Sequence, residues 1–527
     1  MTSPASSTWA PLRHRPFRAL WQSGGAYFIG NAMQVMAAAW MMIELTGSDF
    51  LAAAVQTAVF LPMFLLSLPA GVLADTTDRR RLMLAALATQ AATGTLLAVL
   101  VFSGWAGPGT LMFFVFISGC CTALQSPAYN SAIGDVVPRD ELPTAITIVG
   151  IAYNAARALG PAVAGVVFQL GGAWNFVLAV AGTLLLGHTI RRHPPLPHPP
   201  SRLPAERLWG GMLSALRFAW HSRPVRSQLV RTVAYGGCGS ALWALLPVIG
   251  QRQLGLGATG VGLLMGCMGA GAVTAGLMIG RIRTRVGLEA VVRGGCLVFA
   301  AAMLVAAFVR VPLVVYLALA FAGASWMSVM STFNTATQTS APPWVRSRAV
   351  AMHALCSLGS FALGSTVWGA LSGLFGLTTA LCAAALLMTA GTLLARWFPL
   401  RMGEAADVTP VVTMWEDFAV ADEPAPEAGP VAVEIGYRVR AEDVPEFLEV
   451  AGQLRAPRRR DGATFWRLYR DLADPARYVE RFIVTSWADY LHQRARSTLS
   501  DQELDDRVRS FLLPGETVTM QHYIAER

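Results

Sequence analysis

The sequence contains no lysine: all 41 basic residues among its 527 are arginines, so positive charge anywhere on the chain is guanidinium charge. Charge of either sign is scarce. Only 14% of residues are charged, where soluble domains carry about a quarter, while 54% are hydrophobic and the mean hydropathy is +0.47. That balance excludes an ordinary water-soluble protein. Cysteine is sparse as well, and the seven present (Cys120, Cys121, Cys238, Cys267, Cys296, Cys356, Cys382) all fall in apolar stretches. They read as small core residues, which excludes a disulfide framework and a zinc site. Carboxylates are missing from the interior of every long apolar run: Glu44, Asp49, Asp75 and Asp135 all stand at ends. No glycine-rich phosphate loop, metal-ligand cluster or nucleophile triad is visible, so no metal or cofactor is expected.

What is present is hydrophobic length. A helix needs about 20 apolar residues to cross the hydrocarbon core of a bilayer. The charge-free intervals 19–43, 50–74, 82–134, 232–251, 253–280, 294–309, 311–345 and 349–395 supply them, and 142–190 is interrupted only by Arg157. Turn signals at Gly104–Gly109, Gly171-Gly172 and Gly373–Gly376 divide the longest runs into hairpins, which makes twelve spans. The first follows Arg13, Arg15 and Arg18 without a small-residue cleavage pattern, so no signal peptide is expected. Residues 1–401 hold 26 arginines against nine acids, a net of +17, whereas 402–527 hold 15 against 23, a net of −8. Along the twelve spans, 23 arginines fall on one side and only Arg252 and Arg310 on the other. By the positive-inside rule both termini are then cytoplasmic.

An internal repeat accompanies the spans. Sliding the chain by 204 residues sets Asn130 on Asn334, Pro138 on Pro342, Ala145 on Ala349, Gly160 on Gly364, Gly165 on Gly369 and Gly172 on Gly376. The expected architecture is an all-α membrane protein of two six-helix halves, 1–190 and 230–400, enclosing a midplane cavity as transporters do. Residues 191–229 join them through a proline-rich stretch, His193–Pro200, and a basic amphipathic helix, Glu206–His221, suited to the inner leaflet.

Two motifs carry a resemblance. The stretch from Gly71 through Asp75, Thr76 and Asp78 to Arg79, Arg80 and Arg81 resembles the loop 2–3 signature of the major facilitator superfamily, G-x-x-x-D-R-x-G-R-R. Thr76 and Asp78 depart from it, standing where the pattern has a basic residue and a glycine. Gly71 would admit a close neighbour, Asp75 would cap a helix, and the arginines would pair with carboxylates or lipid phosphate as a latch. In the fifth span, Gly160-Pro161 and Gly165 resemble the G-P-x-x-G signature of exporters, expected to pack on helix 8 with Gly262, Gly266, Gly269 and Gly271. With Asn31–Gln34, Leu45–Ser48, Leu68–Gly71, Gln125–Tyr129 and Val137–Pro143, the whole chain resembles the bacterial transmembrane secretion effectors, enterobactin-exporter-like proteins among them. The resemblance implies a twelve-helix major facilitator fold in the bacterial inner membrane. It also implies export of a siderophore, drug or secondary metabolite by alternating access and proton antiport. Import of a small organic solute is the alternative, as is a membrane-tethered enzyme.

Polar residues inside the spans are the candidates for substrate contact. Arg157 lies roughly 20 Å along its helix, near the bilayer centre, where an ionised group faces a wet cavity or a partner. Asn154 is one turn away. Tyr27, Asn31 and Gln34 form a stripe on helix 1, Gln125 with Tyr129 on helix 4, and Asn334 with Gln338 on helix 10; each is expected to line the cavity or to bond another helix. His353 is the best-placed titratable group for protons, which the resemblance alone implies. The expected partners are a small-molecule substrate, protons and membrane lipid, with no nucleic acid.

The acidic tail reads differently. Residues 401–430 are a Pro- and acid-rich linker, and 431–527 alternate as βαββαβ, with strands over Val431–Arg440, Thr464–Asp471, Tyr478–Trp487 and Thr517–Ile524 and helices over Glu442–Arg455 and Asp489–Phe511. That order predicts a cytoplasmic α+β ferredoxin-like domain. It resembles the antibiotic-biosynthesis-monooxygenase fold, which implies dimerisation and, as a minor alternative, a cofactor-free oxygenase. Trp466, Trp487, Tyr490 and His492 are then the pocket candidates, against ordinary core positions. Arg458-Arg459-Arg460 reads as a solvated basic loop.

Overall fold

A computed structural model of the chain describes residues 10–138, 141–192, 216–342, 345–409 and 424–526. Twelve helices among them are long and apolar enough to cross a membrane. They are α1 (Arg15–Thr46), α2 (Asp49–Thr76), α3 (Arg79–Phe102), α4 (Pro108–Asp135), α5 (Leu142–Val167), α6 (Ala173–Arg192), α7 (Arg223–Val248), α8 (Ala258–Val286), α9 (Leu288–Phe308), α10 (Pro312–Thr339), α11 (Arg346–Phe375) and α12 (Leu377–Gly391, carried on to Arg396 by a 3-10 turn). Small residues make the turns between them. Gly47 ends α1 in the left-handed region (φ +61°) with its N–H on the Ile43 carbonyl, and Ser48 then caps α2 by accepting the Leu51 N–H at 3.3 Å. The C-terminus of α7 widens into a π-turn, Ile249–Gln253.

The chain divides into two compact units. The first holds Arg231–Thr332, Ala354–Trp397 and the described residues up to 192. The second holds the tail with Phe333–His353 and the described part of 203–230, which are the ends of α7, α10 and α11.

The repeated glycines perform matched tasks inside the first unit. A Cβ on Gly160 of α5 would stand 2.6 Å from Ala32 Cβ on α1, and one on Gly364 of α11 would stand 2.7 Å from the Gly237 carbonyl on α7. Five residues on, Gly165 meets the Ala258 carbonyl of α8 and Gly369 meets Ala53 of α2, at 2.5 and 2.6 Å. The fifth helix of each half thus packs on its own first helix, then crosses to the other half, with hydrogen at Cα in both places. With little hydrophobic drive between helices in lipid, such close approach is what holds them together. Gly262, Gly266 and Gly269 of α8 face Pro161, Ala162 and Ala158 of α5, whereas Gly271, expected on the same seam, faces Ala320 of α10.

The tail builds a four-stranded antiparallel sheet, β2-β3-β1-β4, from β1 (Val431–Arg438), β2 (Phe465–Arg470), β3 (Arg477–Val484) and β4 (Thr519–Ile524). Helices α13 (Val444–Gln453), α14 (Arg455–Asp461), α15 (Trp487–Ala495) and α16 (Leu499–Arg509) complete it. Val431, Val433, Ile435 and Tyr437 alternate inward from β1, with Val433 opposite Phe482 of β3, onto Phe447, Val450 and Tyr490. The single helix expected over 489–511 is two. Thr498 begins a capping box with Asp501, whose carboxylate accepts the Thr498 N–H at 2.9 Å, so the chain restarts a helix there. The basic run 458–460 is no solvated loop: it is helical, Arg458 is buried and Arg460 half-buried, and both are held in ion pairs. Within the second unit, Gln228 donates to Ser340 Oγ and to the Arg401 carbonyl (3.2 and 3.3 Å), and Leu499 N–H bonds the Thr409 carbonyl at 3.1 Å. The proline-rich stretch, most of the expected amphipathic helix and the linker centre, 410–423, lie outside the described residues.

Candidate functional site

Arg157 projects from α5 toward α7, its guanidinium 4.5 Å from the centroid of the Trp243 ring. An arginine over an indole face gains from the ring quadrupole, most where water is partly excluded. Trp243 is buried, and its indole N–H has no acceptor among the described residues. Around it, Trp243 meets Trp326 edge-on at 6.2 Å, Trp326 meets Phe361 at 5.9 Å, and Phe361 tilts against Phe60 of α2 at 4.7 Å. Tyr235 stacks on Trp326 at 5.4 Å. One cation, one unspent donor and an aromatic wall therefore meet where helices of both halves converge, an arrangement suited to an aromatic or amphipathic molecule bearing an acceptor or negative charge.

At the arginine-poor end the halves are joined. Asp49, the first residue of α2, is buried where the helix dipole favours an anion, and accepts from Ser372 Oγ of α11 at 2.8 Å. Arg252, in the π-turn after α7, approaches the same carboxylate at 2.7 Å and also donates to the Gly47 carbonyl. Two further seams join α5 to α8 and α2 to α11. Thr259 Oγ1 donates to the Gly165 carbonyl at 3.0 Å, and Thr57 Oγ1 donates to the Ala362 carbonyl at 3.1 Å.

The other candidates separate into groups. Tyr27 and Tyr129 belong to the packed core of the first half: Tyr27 bonds Gln90 and Thr122, each at 3.1 Å, and Tyr129 donates to the Leu20 carbonyl at 3.4 Å. Gln34 and Gln125 are buried and Asn31 is half-buried. Asn154 turns back to the Gly150 carbonyl of its own helix at 2.8 Å. Asn334, Gln338 and His353 lie in the second unit; Gln338 donates to Asn334, and His353 is buried. In loop 2–3 the capping acid is Asp78, which accepts from the N–H groups of Arg80 and Arg81 (2.9 and 3.3 Å) at the start of α3. Arg80 reaches the Arg191 carbonyl at 3.0 Å, and Arg81 pairs with Asp78 at 3.4 Å. Arg79 opens α3 beside them, while the surroundings of Gly71 and Asp75 lie outside those described.

In the tail, three of the four pocket candidates, Trp466, Trp487 and Tyr490, belong to the core or pack against it. Trp466 Nε1 donates to Glu480 at 2.8 Å, Trp487 and Tyr490 are buried, and the Tyr490 hydroxyl meets His522 Nε2 at 2.6 Å, its pKa pushed up to about 12 by burial. His492 is exposed. Glu480, fully buried, also holds Arg458 (3.0 Å) and the Tyr437 hydroxyl (2.8 Å), and Arg458 continues to Asp505 at 3.0 Å. Burial raises Asp505 to about 6 against the opposing pull of Arg458. Asp461 is likewise raised to about 6 by burial, against Arg460.

Twelve such helices in two half-repeats, a central arginine and cross-half seams define a membrane carrier of the major facilitator fold. The chain belongs to the transmembrane secretion effector family, whose match runs over residues 6–527 and so includes the tail. It is 26% identical over 380 residues to the multidrug efflux pump Tap of Mycobacterium tuberculosis, covering 68% of this chain and 87% of that protein. It is 27% identical over 166 residues to macrolide efflux protein A of Streptococcus pyogenes, spanning 31% of this chain but only 40% of that relative. It is 25% identical over 155 residues to the staphyloferrin A transporter of Staphylococcus aureus, covering 29% and 39%. Among solved structures it resembles the nucleoside transporter NupG (TM-score 0.61, 13% identity, 73% of this chain and all of that one). It also resembles a bacterial homologue of the lysosomal transporter Spinster in an inward-facing, unoccupied conformation (TM-score 0.56, 15% identity, 73% and 95%). The chain is a multi-pass membrane transporter.

Proposed function

We propose that the protein exports a small organic molecule across the bacterial inner membrane by alternating access, with both termini in the cytoplasm and proton entry driving exit. The observation that carries this reading is the placement of Arg157 over Trp243 beneath a seam closed at the arginine-poor end. In the orientation favoured by arginine asymmetry that end faces outward, so a site shut on that side is loaded from within. Efflux proteins among the relatives support the direction. The cargo is amphipathic: the aromatic wall takes its apolar part, and Arg157 with the Trp243 N–H takes its anion or acceptor. In the first unit Asn31, Gln34, Gln125 and Asn154 supply further polar contacts to the cargo and Asp78 with Arg79–Arg81 latches loop 2–3; in the second, Asn334 and Gln338 supply polar contacts and His353 carries the proton. Residues 1–190 and 230–400 act as the two rocking halves, joined by 191–229; 401–430 tethers a regulatory or dimerising domain, 431–527. Core placement of Trp466, Trp487 and Tyr490 favours that role for the tail over catalysis.

The test compares metabolites inside and outside a deletion strain and its complement. Export predicts one compound lost from the medium and accumulated within, unrestored by Arg157→Ala. An external compound left unused by the deletion strain would reverse the direction. A compound whose oxidation state changes without a change in total export would give the tail an enzymatic role.

A further inference from the structure

Arg252 and Arg310 are the two arginines on the arginine-poor side of the chain, and arginine there runs against the charge bias of the whole molecule. Both line one cavity of about 460 Å³, formed with Asp49, Gln253, Ser372 and Thr378 where α1–α2, α7, α9–α10 and α11–α12 turn. The π-turn Ile249–Gln253 gives the cavity Arg252 and Gln253, and such turns recur at functional positions. Gln253 fixes the pair: its carbonyl accepts from Arg310 at 3.3 Å, and its amide is anchored on the Ala306 and Val309 carbonyls. Arg310 is exposed and has no carboxylate partner among the described residues, so most of its five donors point to solvent. Arg252 spends its charge on Asp49, across the two halves. The cavity therefore holds two cations and a single carboxylate, and that carboxylate belongs to the seam that closes the outer end.

We propose that this vestibule is an exit site for the anionic group of the cargo: Arg310 receives the anion, and Arg252 then exchanges Asp49 for it. The arrival of negative charge thereby loosens the seam in front of the leaving molecule. This inference rests on the export reading for its direction but not for the binding itself.

The experiment uses the full chain in lipid nanodiscs, carrying Arg157→Ala so that the central arginine is silent. Salicylate, an organic monoanion, is titrated by ligand-observed NMR beside its neutral isostere salicylamide. The vestibule predicts salicylate binding that salicylamide does not share. It weakens roughly fivefold or more with Arg310→Gln or Arg252→Gln and is largely kept with Arg310→Lys. Asp49→Asn is the sharper arm, because removing the competitor for Arg252 should tighten salicylate binding, whereas a merely structural Asp49 would leave it unchanged or weaker. Equal binding of the acid and the amide, indifference to Arg310→Gln, or weaker binding in Asp49→Asn each overturns the proposal. Monodisperse elution of Arg310→Lys beside Arg310→Gln separates lost charge recognition from lost fold. Export confirmed without charge-selective binding would sink the vestibule alone; selective binding with import would keep the site and make it an entrance.

Discussion

Arg157 and Arg458 are the same side chain drawn away from bulk water, and the two regions of the molecule hold it by opposite means. In the tail, Arg458 is enclosed by Glu480 and Asp505, each at 3.0 Å; Trp466 shares the Glu480 oxygen that Arg458 uses, and Tyr437 donates to the other. Among the helices, Arg157 has the face of Trp243 and no carboxylate among the described residues. A buried cation must be compensated, and a protein that supplies every partner itself has made a structural element. One that supplies only a π-face and a spare indole N–H leaves the last partner to be brought in from outside. Reading the partners of each arginine therefore separates architecture from a candidate transport site in one chain.

The sharpest way to break the comparison is in the tail. Glu480→Ala strips the acceptor from Arg458, Trp466 and Tyr437 at once and should cost about 3–5 kcal/mol. Chemical denaturation followed by tryptophan fluorescence would then show the tail unfolding early, while the helical far-ultraviolet signal persists. A loss below about 1 kcal/mol would mean the buried pair is not what holds the sheet to its helices. Arg157→Ala should do the reverse: unchanged assembly on size exclusion, but efflux reduced roughly tenfold or more, the loss of one charge-assisted contact. Arg157→Lys should recover part of it, since an ammonium keeps the cation–π contact and loses the planar fork.

Proton linkage sharpens the tail side further. Asp505 and Asp461 titrate near 6 in the folded domain because burial disfavours their charge, above the ordinary carboxylate value of about 3.9. A raised folded value favours the protonated form, so their contribution is present below about pH 4 and is lost as pH rises through about 6. Asp505→Asn, which stays neutral, should gain on the wild type by on the order of 2 kcal/mol between pH 4 and pH 7, read from denaturation midpoints. A gap that does not move with pH would place the charge of Asp505 outside the folding equilibrium. The smallest effect belongs to the seam at the arginine-poor end. Arg252 is about half exposed (47%), so its pair with Asp49 is worth up to about 1 kcal/mol. Asp49→Asn should shift the open fraction at that end roughly fivefold, followed by spin-label distances, and the swap Asp49→Arg with Arg252→Asp should restore it.

Much of the architecture was legible before any coordinates. The hydrophobic runs mark all twelve helices, and two of the glycine pairs matched at a spacing of 204 residues, Gly160 with Gly364 and Gly165 with Gly369, carry equivalent contacts in the two halves, whereas Gly172 and Gly376 do not. The tail's strand order was legible too, since alternation over Val431–Arg438 is a local signal. The site was legible only in part. Arg157 announces itself because a charge in an apolar run is visible along the chain. Trp243 and Trp326 do not, because an aromatic in such a run looks the same whether it fills a core or lines a path. Tyr27 and Tyr129 had the spacing of a cavity stripe and proved to be packing residues, since which neighbour faces a stripe depends on another helix. Along the chain Asp49 is an ordinary helix-end acid; only the fold brings Ser372 and Arg252 to it.

The division has a physical basis. Solvent preference, helical spacing and the room beside a glycine are properties of short stretches, and they decided that this chain enters a membrane as two repeated bundles followed by an α+β tail. Whether a given arginine is a clamp or a vacancy depends on what distant segments bring within about 4 Å of it, where Coulomb and hydrogen-bond energies become large. Only the tertiary structure decided that Arg458 would find two carboxylates and that Arg157 would find a tryptophan with its N–H still unspent.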